Sequence, residues 1–239
     1  MRHILILFLT AGLIAIQGGS HAVISQPHTP EVSTNTLTGK IAGTKLIRDL
    51  HNKLQDADSE IPYPLLEKGM KGYLNLKNTG KIAKDVITLI DMEKPGTEKR
   101  MWVIDVAQAK ILKRTYVAHG KNSGNNYATS FSNIANSYQS SLGFYVTGQT
   151  YHGKHGLSLR LDGMDTGFND NARQRAIVLH GASYVSDDFI KQYGRLGRSH
   201  GCPAVPVSEN KEIIDLIKGG SLLFISGSCR NYQSDYLAG

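Results

Sequence analysis

Cys202 lies in the run Gly197-Arg198-Ser199-His200-Gly201-Cys202-Pro203-Ala204-Val205, directly after a glycine and two residues after a histidine. A second histidine, His180, lies upstream in Val178-Leu179-His180-Gly181-Ala182. A thiol attacks a carbonyl only as its thiolate, and a free cysteine titrates at about pH 8.5. A neighbouring imidazole removes that proton and later returns it to a leaving amine. Gly201 permits a tight turn that aims backbone amides at a developing oxyanion. Pro203 has no N–H, so His200, Gly201 and Cys202 are the donors such a turn offers, with Ser199 as a further turn residue. The chemistry these residues support is nucleophilic acyl transfer. Residue types alone leave either His180 or His200 as the base.

A body of strands must position this pair. Period-two patterning begins near Ile82 and gives strands at Val86–Ile90 and Met101–Val106, then Lys110–His119, Leu142–Gly148 and Leu157–Leu161. The β-branched run Arg175–His180 delivers His180 at its end. Two polar loops, Gly120–Ser141 and Asp162–Arg175, are long for a compact domain and read as functional. Ser186 caps a short helix with Asp187 and Asp188 in its first turn, and Gly194 ends it. Ser208 reads as the cap of a last helix, Glu209–Lys218, before a closing strand, Leu222–Ser226.

Ahead of the strands, Leu46, Leu50 and Leu54 recur every fourth residue in a helix over Thr44–Ala57, and a second helix covers Leu65–Leu76. Neither is long enough to stand alone. The chain therefore divides into a helical segment over 41–78 and a catalytic domain over 79–239, mostly β with flanking helices. Residues 23–40, with Pro27 and Pro30, read as a flexible leader. Residues 1–22 pair a basic start with a short apolar core and small residues before Ala22. This is the pattern of a secretory signal peptide cut after Ala22, too short to span a bilayer. The expected location is across the inner membrane, in the periplasm or cell envelope, with membrane contact only before cleavage.

The 239 residues carry a net charge of +7 with histidines neutral, spread without any basic run. That favours an anionic envelope or acidic substrate, and with an export signal it excludes nucleic acid as the partner. Two cysteines in an oxidising compartment could form a bridge, Cys202 to Cys229, and a non-catalytic wall-binding module would need it. The bland setting of Cys229 and the Gly-Cys-Pro context of Cys202 argue for a working thiol instead.

His180-Gly181 followed, after a gap, by Ser199-His200-Gly201-Cys202 resembles the signature of the L,D-transpeptidase (YkuD-like) catalytic domain superfamily, in a divergent murein branch. The resemblance is tight over 175–206 and looser over 82–228. It implies a β-sandwich-like domain acting on peptidoglycan stem peptides as a transpeptidase or carboxypeptidase, with covalent carbapenem inhibition. Cys202 would attack the carbonyl of the third stem residue and expel D-alanine. His180 would be the base and acid, the Gly181 carbonyl would orient its ring, and His200 would be a supporting residue, either structural or a second proton carrier. The family follows its cysteine with an apolar residue and then Asn or Arg, where this chain has Pro203-Ala204, and Arg198 could replace that polar group. A different Cys-His envelope peptidase or amidase is the runner-up.

Other residues complete the expected site. Tyr151 and His152, in Tyr151-His152-Gly153-Lys154-His155-Gly156, either line the cleft or lie in a solvated hairpin. Two histidines three apart have no third ligand at readable spacing, so neither a metal nor a cofactor is expected. Arg160, Asp162 and Arg173 are candidates for gripping the carboxylates of a stem peptide, with simple surface solvation the favoured reading for each taken singly.

Overall fold

The computed structural model describes residues 34–55 and 60–238, with side chains from 43 onward. The expected signal peptide and the leader up to residue 33 lie outside these residues. Two helices open the described chain, α1 (Thr34–Gln55) and α2 (Tyr63–Asn78). Helix α1 starts ten residues before Thr44, inside the stretch expected to be flexible. The prolines that argue against helix end at Pro30, so nothing after it breaks the pattern. Among the described residues no helix is long and apolar enough to cross a membrane.

Eight strands follow: β1 (Val86–Asp91), β2 (Met101–Asp105), β3 (Lys110–Thr115), β4 (Gly143–Gly153), β5 (Gly156–Gly163), β6 (Val178–Ala182), β7 (Ala204–Pro206) and β8 (Leu222–Ser226). Helix α3 (Asp187–Tyr193) joins β6 to β7, and α4 (Val207–Ile217) joins β7 to β8. All eight strands form one sheet in the order β3-β2-β1-β8-β4-β5-β6-β7. Just past β3, Ala118 exchanges backbone hydrogen bonds with Ala204 of β7, at 2.8 and 3.3 Å. The two edges of the sheet thus meet, and closure removes most of the unpaired edge. The mostly β body with flanking helices is the expected one, and its two layers belong to a single curled sheet.

Period two sorts the sheet into an inside and an outside. Trp102, Leu89, Phe224 and Phe144 are register partners across β2, β1, β8 and β4, and all face the same way. They are buried under α1 and α2 with Leu50, Leu54, Leu66 and Met70. The next row, Val103, Thr88, Leu223 and Tyr145, points to the opposite side. There Ile213, Ile214 and Ile217 of α4 fill the interior of the curl. Helix α4 begins at Val207 after Pro206, so Ser208 sits in its first turn and is not the cap. The proline's fixed φ sets the entry at the cap position, and no side chain caps the helix. Ser186 and Gly194 do cap α3 as expected, with Ser186 Oγ accepting from the Phe189 amide.

Helix α2 lies close on the sheet because it presents glycines. A Cβ on Gly72 would come within 2.1 Å of the Phe144 ring, which is itself stacked on Phe224 at 4.3 Å between centroids. The ring is fully buried and has no room to yield. Gly72→Val is therefore expected to destabilise by about 1–3 kcal/mol, the usual cost of overpacking. Urea titration of the full chain checks this, and an unchanged midpoint would show that α2 is not seated on the sheet.

Candidate active site

Strands β6 and β7 run parallel, with His180 beside Ala204 and the His180 amide donating to the Pro203 carbonyl at 3.4 Å. Parallel strands need a crossover, and residues 183–203 provide it through α3. The last residues of that crossover are the turn that carries Cys202. The register therefore brings the histidine and the thiol to the same end of the sheet. Both line one cavity of about 390 Å³.

The turn is built on Ser199. Its buried hydroxyl accepts from the Gly201 amide at 3.0 Å and donates to the Cys202 carbonyl at 2.6 Å. Ser140 Oγ donates to the Gly201 carbonyl at 3.2 Å and accepts from the Gly120 amide at 3.0 Å. Gly201 has φ +125°, and a Cβ there would meet the Gln139 carbonyl oxygen at 2.7 Å. Only glycine serves at that point. This corrects one expectation: the Gly201 amide is held inside the turn, so it does not face the cavity. The amides of His200 and Cys202 remain. Tyr138 and Ala176 also sit at positive φ, 55° and 53°, beside the turn. For side chains of their kind this is strained backbone, which concentrates at functional sites.

His180 is buried at 2 % exposure. Its Nδ1 lies 3.0 Å from the Gly181 carbonyl. A carbonyl only accepts, so Nδ1 carries the proton and Nε2 keeps its lone pair. The His155 ring stacks on it at 4.4 Å between centroids, tilted by 21°. Burial pulls the His180 pKa below the ordinary histidine value; the Gly181 carbonyl opposes this, while His155 and Lys154 add to it. The Cys202 thiol donates to the Ala176 carbonyl at 3.7 Å. Burial pushes its pKa up, offset in part by the Val178 amide and the charges of Arg175 and Lys154. Both shifts favour the uncharged forms of the two groups.

The other expected residues separate cleanly. Tyr151, Arg198, Ser199 and His200 are on the cavity wall. His200 is exposed and packs on the Tyr138 ring at 4.5 Å between centroids. Arg198 is held by the Gly124 carbonyl, 3.1 Å from its Nη1. His152 and Arg160 are off the wall. Arg160 lies over the Tyr151 ring at 4.5 Å, and Arg173 pairs with Asp162 at 2.6 Å. Both cysteines are free thiols, so the bridge that a non-catalytic module would need is not formed. No metal-holding cluster occurs among the described residues.

Of three further wall residues, Lys154 and His155 entered the sequence reading only as members of the run 151–156, and Arg175 was not picked out. His155, and not His152, is the cavity histidine of the β4–β5 hairpin, and Lys154 stands beside it. Arg175 reaches across to the loop over 132–141, where its two η nitrogens donate to the Ser132 and Gln139 carbonyls at 2.6 and 2.8 Å. It also bonds Ser137 and Ser141. A lone arginine in a polar stretch carries no local signal of this, because all its partners are more than thirty residues away.

The cysteine turn and a histidine whose tautomer is fixed thus open on one cavity. The family model described as the L,D-transpeptidase catalytic domain matches residues 57–226, and the chain belongs to that family. The match begins ahead of α2, so it takes in a helix expected to precede the domain. Among solved structures, an L,D-transpeptidase from Mycobacterium smegmatis is 12 % identical, with TM-score 0.37, over 60 % of this chain and 59 % of that one. An L,D-transpeptidase in complex with imipenem is 12 % identical, with TM-score 0.37, over 59 % of each chain. An L,D-transpeptidase from Stackebrandtia nassauensis is 16 % identical, with TM-score 0.37, over 74 % of this chain and 76 % of that one. No curated protein matches the chain.

Two measurements check this geometry. Ser199→Ala leaves a buried amide and a carbonyl without their partner, and about 1–3 kcal/mol of stability should be lost for each unsatisfied group; a denaturation midpoint unchanged from wild type would contradict the staple. Iodoacetamide should alkylate Cys202 at a rate that keeps climbing beyond about pH 8.5, where a free thiol titrates. The sign follows from the raised thiol pKa: the proton stays on sulfur until the pH passes the folded value. A rate plateau at neutral pH would instead reveal a preformed thiolate–imidazolium pair.

Proposed function

We propose that the protein is an exported cysteine acyltransferase of peptidoglycan stem peptides, an L,D-transpeptidase, an L,D-carboxypeptidase or both. The observation that carries this reading is the shared cavity of Cys202 and a buried His180 whose Nδ1 is held by Gly181. Export rests on the residue pattern of 1–22.

Donor binding displaces water and brings a carbonyl against Sγ. The thiol proton passes to Nε2 of His180 as the S–C bond forms, so the thiolate need not exist in the resting site. The tetrahedral oxyanion is met by the amides of His200 and Cys202. The C–N bond to the leaving D-alanine then breaks, and the imidazolium returns the proton to its nitrogen. An amine of a neighbouring stem, or water, attacks the thioester and restores the thiol. The stacked His155 ring and the Lys154 ammonium both disfavour a lasting charge on His180. That suits an imidazole that must give its proton back within the same step.

Incubation with tetrapeptide stems should release D-alanine, and a carbapenem should add one inhibitor mass per chain. Cys202→Ala should lose both by at least about a thousandfold, the scale on which removing a nucleophile acts. Intact-protein mass spectrometry and product analysis read both results. A wild type that neither releases D-alanine nor takes up a carbapenem would overturn the proposal; cleavage that releases some other product would point to a different envelope peptidase or amidase.

A further inference from the structure

The cavity wall holds three permanent cations, Lys154, Arg175 and Arg198, and three histidines, with no carboxylate among its lining residues. A cleft of one sign concentrates ligands of the other. The three cations differ in what they are free to bind. Arg175 is engaged by the loop over 132–141, through two carbonyls and two hydroxyls. Arg198 is engaged by Gly124 and, at 3.4 Å, by Asn125 Oδ1. Both guanidinium groups serve as posts that hold loops in place around the thiol.

Lys154 is different. It is exposed, at the tip of the β4–β5 hairpin between Gly153 and Gly156, and it has no ion pair or hydrogen bond among the described residues. It nevertheless lines the same cavity as Cys202 and His180, and its charge is felt by Cys202, His155 and His180 alike. The arginines expected to grip carboxylates are engaged elsewhere, Arg173 by Asp162 and Arg160 over Tyr151. An ammonium on a flexible stem is a point charge that can follow a ligand and release it.

We propose that Lys154 is a specificity-determining residue that binds a free carboxylate of the acyl donor while Cys202 attacks the neighbouring carbonyl. The assignment rests on the stem-peptide reading above. It makes the donor subsite a two-point device, with sulfur at the scissile carbonyl and an ammonium at a nearby anion. Two carboxylates of a stem peptide meet this description. One is the terminal carboxylate of the leaving residue, and the other is the side-chain carboxylate where the third residue is a diamino diacid. The shared chemistry is a carboxylate close to the bond that breaks.

The test compares kcat/KM of the full chain on a tetrapeptide stem, on its C-terminal amide and on its side-chain amide, in wild type, Lys154→Ala and Lys154→Arg. Wild type should prefer the doubly free acid over one amide by about 10- to 100-fold, the worth of one hydrogen bond to a charged group. The penalised amide identifies the carboxylate. Lys154→Ala should abolish the preference, mostly through KM, and Lys154→Arg should restore much of it. Loss of the ammonium also shifts the neighbouring titrations, but that effect is common to all three substrates and cancels in the ratio. Equal loss on acid and amides in Lys154→Ala, or no preference in wild type, overturns the assignment while leaving the stem-peptide reading intact. A wild type inactive on all three stems overturns that reading, and the assignment falls with it.

Discussion

Ala204 is paired on one side with His180 across two parallel strands and on the other with Ala118 beyond β3. That double pairing makes the site possible. It joins the two edges of the sheet, and it ties the strand that ends in histidine to the turn that holds the thiol. The small side chains at Ala118, Ala182 and Ala204, packed with Val185 and Leu196, let the crossover lie close to the sheet. Closure also anchors the loop after β3: Lys121 donates to the Ser199 carbonyl, and the Ser199 amide donates to the carbonyl of His119. The cysteine turn is therefore held from both directions by backbone hydrogen bonds.

The electrostatics of the cavity follow from burial more than from charge pairs. Desolvation raises the thiol and lowers the histidine, and both shifts favour the neutral forms. The cations on the wall act in the opposite sense on sulfur and in the same sense on the imidazole. In the proposed mechanism, proton transfer is left to the moment when a donor fills the cavity. The same cations suit an anionic ligand, so on the proposed reading one set of charges would serve both binding and the timing of activation. Farther in, buried Arg100 donates to the Val117 carbonyl and to His119, and burial with that neighbouring charge brings His119 down to about 4. This pair underpins the segment that carries Ser199.

Much of this was legible in the sequence. Alternation in Val86–Ile90 and Leu222–Ser226 predicts strands, and their opposite faces do meet different cores. The cap at Ser186 and the stop at Gly194 are local hydrogen-bond and φ requirements, so they hold wherever the helix packs. His152 shows where local reading fails. His152 ends up paired with Leu157 inside the β4–β5 ladder, whereas His155 lies in the turn between the strands and stacks on His180; nothing in the run 151–156 distinguishes the two. Ser208 fails for a different reason: a proline just ahead of it had already set the start of the helix.

What the sequence determined by itself is the chemistry of single residues and short runs. A cysteine between glycine and proline, a histidine at the end of a β-branched run and a glycine at the turn each express a requirement confined to a few residues. The tertiary structure decided which groups stand together and which are already engaged. The Gly201 amide is spent on Ser199, Arg175 on a loop distant in sequence, and Arg173 on Asp162, while Lys154 is left open to the cavity. Those outcomes depend on strand register and the closure at Ala118. Each is a long-range pairing, and the energy that selects it comes from burying both faces of the whole sheet at once.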